Sequence, residues 1–411
     1  MAGVFRIGLG KIVAVTGTKP LTANTRVPEL LFCRSISGKA LKIVDTSVQK
    51  PAPYPYKEKK YGWINRFFDK TTSRFDENTK LIVVDGPIAA GKSDFAKTLA
   101  EDLDMLYMPE ANLDMLYINE YGFDLRSLDS KVPESCRTFD VKDFYQDPKN
   151  RLSASFQIIM YTVRYSQYID ALAHILSTGQ GVVLDRSVYS DFVFLESMFS
   201  QGYISRGARS AYYDVKKNTI TELMRPHLVI YLDVPVNKIQ ENIKKRNICY
   251  EANSPVLTPA YLTVMENMYK QQFLKSISNH SELLVYDWSN GGDVEVVVED
   301  IERIDFDRYT HHDIKLDDWR MDMEEDWALA RHKYADNKNR LLCFLNVPRY
   351  DVPELVTDAD DIKHARDIWD EAPGEKFEKG YNAEQGDTGL LFKMSRQHRQ
   401  TLPLRERIIQ A

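Results

Sequence analysis

Residues 81–93 read Leu-Ile-Val-Val-Asp-Gly-Pro-Ile-Ala-Ala-Gly-Lys-Ser, and this stretch decides the fold. Leu81–Asp85 is a β-branched apolar run with the composition of a buried strand. From Gly86 the chain fits G-x-x-x-x-G-K-[ST], and Asp94–Leu103 continues as a helix. Strand, glycine loop and helix together make a phosphate-binding turn. Glycines let backbone N–H groups close around phosphate oxygens, and the helix N-terminus favours negative charge. Gly86 and Gly91 therefore belong to the expected nucleotide contacts, with Lys92 reaching the outer phosphates and Ser93 holding Mg²⁺.

Acids further along the chain can complete such a site. Gly181–Asp185 reads as a second strand and runs into Arg186-Ser187: Asp185 is placed to help hold Mg²⁺ and Arg186 to offset phosphate charge. Asp185 alternatively caps a helix over Ser187–Met198. Glu110 follows the short strand Met105–Met108 and falls at the carboxyl edge of the sheet, where ligands bind in open α/β folds. It can act there as general base for a hydroxyl attacking the γ-phosphate, or it is a solvated loop acid.

Strands over Leu81–Asp85, Met105–Met108, Gly181–Asp185, Leu228–Asp233 and Leu283–Tyr286 alternate with helices over Ser93–Leu103, Ser155–Leu176, Val215–Met224, Pro235–Lys245 and Pro259–Ile277. This predicts an α/β fold over 81–307, a five-stranded parallel sheet with helices on both faces. Residues 45–80, with Pro51, Pro53 and Pro55, read as a connector with a short helix near Trp63–Phe68. Residues 308–411 form a C-terminal extension with a charged helix over Trp319–Lys338. Its aromatics Trp319, Trp327, Trp369 and Tyr381 either anchor other proteins or pack back onto the domain.

Residues 1–44 hold seven basic residues against Glu29 alone, while the whole chain is −6. The acidic remainder argues against nucleic acid as a partner, because phosphate backbones are gripped by clustered Lys and Arg. A basic, Ser/Thr-rich leader has the composition of a mitochondrial transit peptide, with Phe32–Ser37 as a processing region; a disordered cytosolic tail has a similar composition. Cys33, Cys136, Cys249 and Cys343 are scattered, so neither a zinc site nor a disulfide framework is indicated. No apolar run approaches the roughly 20 residues of a membrane span.

Further motifs carry a resemblance. Phe156-Gln157, Arg164 seven residues on, Asp185-Arg186-Ser187-Val-Tyr-Ser-Asp191 and Pro226-His-Leu-Val-Ile-Tyr-Leu-Asp233 stand in the order of the deoxynucleoside kinase family, which this chain resembles from about Leu81 to Asp307. The resemblance implies that Gln157, Arg164 and Asp191 read the base of a nucleoside and that Tyr145 contacts its sugar. Gln157 and Arg164 lie two turns apart on one helix face, so one planar ligand can meet both; alternatively they satisfy each other and a carboxylate in the core. The chain also departs from the family pattern. Pro87 and Ala89 stand in the loop where the family has Asn and Gly, Asp185 shortens a Glu, and Phe192 replaces an Arg of many members. The lid segment Gln240–Asn247 offers Arg246 with Lys244 and Lys245 where the family has several arginines, and lysines cannot reproduce a bidentate clamp. These departures imply weak or absent turnover.

A longer resemblance takes in the leader, Ser190–Glu196 and Pro373-Gly-Glu-Lys-Phe-Glu-Lys-Gly-Tyr381 through Asp387. Across nearly its whole length the chain is similar to the kinase-like accessory subunits of mitochondrial complex I (NADH:ubiquinone oxidoreductase). That implies a peripheral subunit on the matrix side of the inner membrane, with other complex I subunits as partners. It would hold a nucleotide for assembly or stability and carry no electrons, with Glu110, Asp185 and Arg186 vestigial. FAD is ascribed to that family, but the residues suit a purine nucleotide with Mg²⁺, since the dinucleotide fingerprint is absent. The alternatives are a working mitochondrial deoxynucleoside kinase and a soluble nucleotide-binding assembly factor.

Overall fold

The computed structural model describes residues 36–38, 50–310, 312–377 and 379–389; the expected leader, with Cys33, lies outside them except for 36–38. Those three residues are joined to the fold. Ile36 is buried in the core, and Ser37 and Asn78 exchange two hydrogen bonds, Ser37 N to Asn78 Oδ1 at 2.8 Å and Asn78 Nδ2 to Ser37 O at 2.7 Å.

Strands β1 (Leu81–Asp85), β2 (Leu106–Met108), β3 (Val182–Asp185), β4 (Leu228–Asp233) and β5 (Glu282–Asp287) form one parallel sheet in the order β2-β3-β1-β4-β5. Successive strand side chains face opposite ways. Leu81 and Val83 of β1, with Val229 and Tyr231 of β4, join one core with the long helix Ser153–Thr178. Ile82 and Val84, with Leu228, Ile230 and Leu232, join a second core with the helices Lys92–Leu103 and Val294–Glu302. Burial on both faces is why β1 and β4 read as continuous apolar runs. Because every strand runs the same way, Asp85, Met108 and Asp185 end on one edge.

Four expected helices sit differently; one is the charged helix expected over Trp319–Lys338, which spans Glu324–Ala335 after a 3₁₀ turn at Asp317–Trp319. The segment expected over Val215–Met224 is a helix over Arg206–Thr219: Ser205 Oγ accepts the Ala208 N–H at 3.0 Å, and Ala208, Ala211, Tyr212, Val215 and Thr219 form its buried stripe. After β3 the chain makes a short 3₁₀ turn, Val188–Ser190, before the helix Phe192–Ser200. Ser187, not Asp185, caps that turn. The segment expected as one helix over Pro259–Ile277 is interrupted by a π turn, Tyr269–Phe273, a feature often found at functional sites.

The extension is part of the folded body. Leu316 lies in the second core, while Trp319, Trp327, Tyr334 and Leu341 lie in the first. Trp319 packs on His227 with ring centroids 4.0 Å apart, and Trp369 packs with Leu125, Val132 and Cys136. Of the two readings of these aromatics, packing onto the chain's own domain holds for the tryptophans: Trp319, Trp327 and Trp369 are 8%, 3% and 4% exposed. They are not available as anchors for another protein. Among the described residues no helix is long and apolar enough to cross a membrane.

Candidate functional site

The end of β1 turns directly into the loop and the helix Lys92–Leu103. Gly86 is needed for passage rather than contact: a Cβ there would lie 2.8 Å from the Leu232 carbonyl of β4. Gly91 caps the helix at φ +81°, a left-handed conformation that glycine adopts without strain. Ala89 takes φ +56°, where its methyl group is penalised. The glycine expected from the family pattern is thus missed at a position whose backbone calls for it.

Over this loop lies a cavity of ≈ 520 Å³. Its walls include Gly91, Lys92, Ser93, Glu110, Tyr145, Gln157, Arg164, Arg186 and Arg246, which are most of the residues singled out from the sequence. Gly86, Asp185 and Asp191 are not among its walls. Asp191 lies behind them, fully buried, and accepts hydrogen bonds from Gln157 Nε2 at 2.9 Å, from Tyr212 OH at 2.5 Å and from Arg164 Nη1 in a closer contact. It therefore orients both side chains that the resemblance assigns to the base. Tyr212 was not foreseen, and no local motif marks it.

Arg186 sits at the centre of a second network. Its backbone is left-handed at φ +63°, and its Nε donates to Glu110 Oε1 at 2.7 Å while Nη1 reaches Asp85 Oδ1 at 3.3 Å and the Tyr269 hydroxyl. Tyr269 OH donates in turn to Asp85 Oδ1 at 2.9 Å. The π turn places Tyr269 in this position, and sequence periodicity gives no sign of it. The Phe194 ring lies under both guanidinium groups, 4.9 Å from Arg164 and 4.7 Å from Arg186.

Glu110 faces the cavity with its side chain 34% exposed and is also approached by Arg164 Nη2 at 3.3 Å. Burial alone would raise its pKa, but Arg186, Lys92 and Arg164 outweigh this and hold it at about 2. It is a charged group and a weak base. Lys92 is buried, which lowers its pKa, and its Nζ donates to the Pro87 carbonyl at 3.0 Å. Arg246 is paired with Glu251, Nε to Oε2 at 3.1 Å, and the neighbouring lid residue Asn242 donates to the Ala89 carbonyl at 3.0 Å. Lys244 and Lys245 are exposed and do not line the cavity.

Ser93 Oγ donates to Asp185 Oδ2 at 2.5 Å. Burial holds Asp185 above its usual carboxyl range despite Lys92, and its Oδ1 is buried without a partner among the described residues. An orphaned carboxylate oxygen beside a P-loop serine fits Mg²⁺, which uses one or two carboxylates together with phosphate oxygens. Among the described residues there is no group of three or more His, Cys, Asp or Glu able to hold a metal alone. Phosphate oxygens and water would have to supply the other ligands.

Residues 82–318 match the family model described as deoxynucleoside kinase. The chain is 39% identical over 327 residues to the mouse protein named NADH dehydrogenase [ubiquinone] 1 alpha subcomplex subunit 10, mitochondrial, covering 79% of this chain and 87% of that one. It is 27% identical over 236 residues to a deoxyguanosine kinase of Dictyostelium discoideum, covering 57% of this chain and 73% of the other. Among solved structures, a deoxyadenosine kinase from M. mycoides with bound dATP aligns at 21% identity and a TM-score of 0.40, covering 54% of this chain and 96% of that one.

Proposed function

The chain belongs to the deoxynucleoside kinase family and, within it, groups with the mitochondrial NADH dehydrogenase alpha subcomplex subunit 10 proteins; from that premise we propose that it is a kinase-like accessory subunit of the NADH:ubiquinone oxidoreductase complex that holds a nucleotide without turning it over. The observation that carries the first half is the 327-residue match to the mouse subunit, which is longer than the 82–318 stretch that the kinase model covers. It takes in sequence outside the kinase model. By this reading the protein resides in the mitochondrion, peripherally on the matrix side, with other subunits of that complex as its partners.

The second half rests on the cavity. Gly91, Lys92 and Ser93 would take the phosphates, Ser93 and Asp185 a Mg²⁺ ion, Tyr145 the sugar, and Gln157 and Arg164 the base. Bound Mg²⁺ would offset phosphate charge. A purine nucleotide suits this arrangement better than FAD, because the loop is the G-x-x-x-x-G-K-[ST] turn rather than a dinucleotide fingerprint. Three features weigh against phosphoryl transfer. Glu110 is held ionised by Arg186, Lys92 and Arg164 and so is a weaker base than an unpaired glutamate, the one lid arginine lining the cavity is tied to Glu251, and Lys92 is turned onto its own loop. Mass spectrometry of the small molecule that copurifies with the protein, together with assays of phosphoryl transfer from ATP to each deoxynucleoside, tests this reading. A copurifying purine nucleotide without turnover supports it; rapid transfer would establish the kinase alternative. Comigration with the intact complex on a native gel separates a resident subunit from a soluble assembly factor.

A further inference from the structure

Trp63, Ile64, Phe67 and Phe68 are 69%, 54%, 74% and 85% exposed on and beside the one-turn helix Asn65–Phe68. Four large apolar side chains within six residues thus stand in solvent. Among the described residues, this tip is held firmly and left uncovered. Tyr61 and Arg331 at its base are both fully buried, the guanidinium lying 3.7 Å from the Tyr61 ring centroid and 4.6 Å from that of Tyr54. Arg331 Nη2 donates to Asp69 Oδ2 at 3.0 Å, Tyr61 OH to the Asp69 carbonyl at 2.9 Å, and Asn65 Nδ2 to Tyr54 OH at 3.1 Å. Three hydrogen bonds, two of them to Asp69, hold the base of the tip.

Charge around the tip is opposite to that of the body. Residues 57–70 carry Lys57, Lys59, Lys60, Arg66 and Lys70 against Glu58 and Asp69, within a chain of net charge −6. Asp69 faces inward to Arg74 and Arg331, whereas all four lysines are exposed. Exposed Trp and Phe flanked by Lys suit the headgroup layer of a bilayer, where rings reach the acyl boundary and ammonium groups meet lipid phosphates. We propose that the Trp63–Phe68 tip is a peripheral membrane anchor for an anionic lipid surface. It is separate from the nucleotide cavity and does not depend on the assignment of that cavity.

The test is flotation of the full-length protein with vesicles of phosphatidylcholine, alone or with cardiolipin. The wild type is expected to float with the cardiolipin vesicles and much less with the neutral ones. A Trp63→Ser, Phe67→Ser, Phe68→Ser variant should partition about tenfold less or weaker still, and a Lys59→Glu, Lys60→Glu, Lys70→Glu variant should lose the preference for cardiolipin. All six positions are exposed, so circular dichroism should show unchanged thermal unfolding. Failure of the wild type to float, or undiminished flotation of the aromatic variant, overturns the proposal. A wild type that ignores vesicles, together with an aromatic variant that no longer comigrates with the respiratory complex, assigns the tip to a protein partner and overturns it as well.

Discussion

Replacing Asp191 by Asn should disable the wall of the cavity while leaving its shape intact. The carboxylate accepts from Arg164, Gln157 and Tyr212 at once, and it is fully buried. Asp191→Asn keeps the volume, removes the charge and turns an amide donor toward groups that are themselves donors. Arg164, 6% exposed, is then left with Glu110 at 3.3 Å. Removing one partner of a buried pair costs about 3–5 kcal/mol, and an orphaned hydroxyl or amide adds about 1–3 kcal/mol. Sparing the desolvation of the carboxylate offsets part of this, so about 3–4 kcal/mol is expected overall. At about 2–4 °C per kcal/mol for a domain of this size, the midpoint of thermal unfolding should fall by roughly 6–16 °C. Circular dichroism melts at neutral pH measure this, and calorimetry should show nucleotide binding lost, because Gln157 and Arg164 are no longer oriented. The double variant Asp191→Asn, Arg164→Met should recover much of the stability, since no charge is left unpaired. A loss below about 1 kcal/mol, or a double variant as unstable as the sum of its parts, would refute the assignment of Asp191 as the hub.

Lys80 is 3% exposed, and burial lowers its pKa from 10.5 to about 8. The folded state therefore binds fewer protons than the unfolded chain between these values, so stability rises with pH across that window and the penalty is complete below it. Lys80→Met should stabilise the protein by up to about 3 kcal/mol at pH 7, with a gain that vanishes as melts are taken toward pH 10.5; a pH-independent gain would contradict this. Ala89→Gly should relieve a left-handed alanine worth about 1–2 kcal/mol, less about 0.5–1 kcal/mol for glycine's unfolded-state freedom, and so raise the melting midpoint slightly. Truncation after Asp307 should abolish cooperative folding of the kinase-like part, because Leu316, Trp319, Trp327 and Tyr334 leave its cores; a soluble 45–307 fragment with a sharp melt would show that they are dispensable.

The sheet was legible because its signals are local. Each of the five strands falls within a residue or two of where the apolar runs place it, and the loop motif fixes the edge on which ligands gather. Gln157, Arg164 and Asp191 were legible as a group through family order, but their partner Tyr212 lies on a helix whose start was misjudged. Its cap, Ser205, lies ten residues ahead of the apolar stretch Val215–Met224 over which the helix was expected. Asp85, Tyr269 and Glu251 escaped notice for a different reason. Their roles depend on which side chains meet across the sheet edge, and no periodicity encodes that. Likewise the aromatics of the extension could not be assigned from sequence, since a buried Trp and an interface Trp have the same composition signal.

On the proposed reading, the same networks that make the site a poor catalyst make it a good holder. With Arg186, Lys92 and Arg164 holding it at about 2, below the ordinary carboxyl range, Glu110 accepts a proton less readily than an unpaired glutamate. Glu110 joins Arg186, at the end of β3, to Arg164 of the long helix, and Arg186 in turn meets Asp85 at the end of β1 and Tyr269 of the π turn. A ligand that binds only the folded chain adds stability as RT ln(1 + [L]/Kd), about 2.7 kcal/mol at a hundredfold excess over Kd, with no reaction needed. A nucleotide seated against Lys92 and Ser93 would give the buried Lys92 an anionic partner in place of the Pro87 carbonyl, and the Mg²⁺ it brings would give the orphaned Asp185 oxygen a cation. On that reading the cavity would serve as a folding and assembly element, and Glu110 and Arg186 would contribute charge there with no reaction needed.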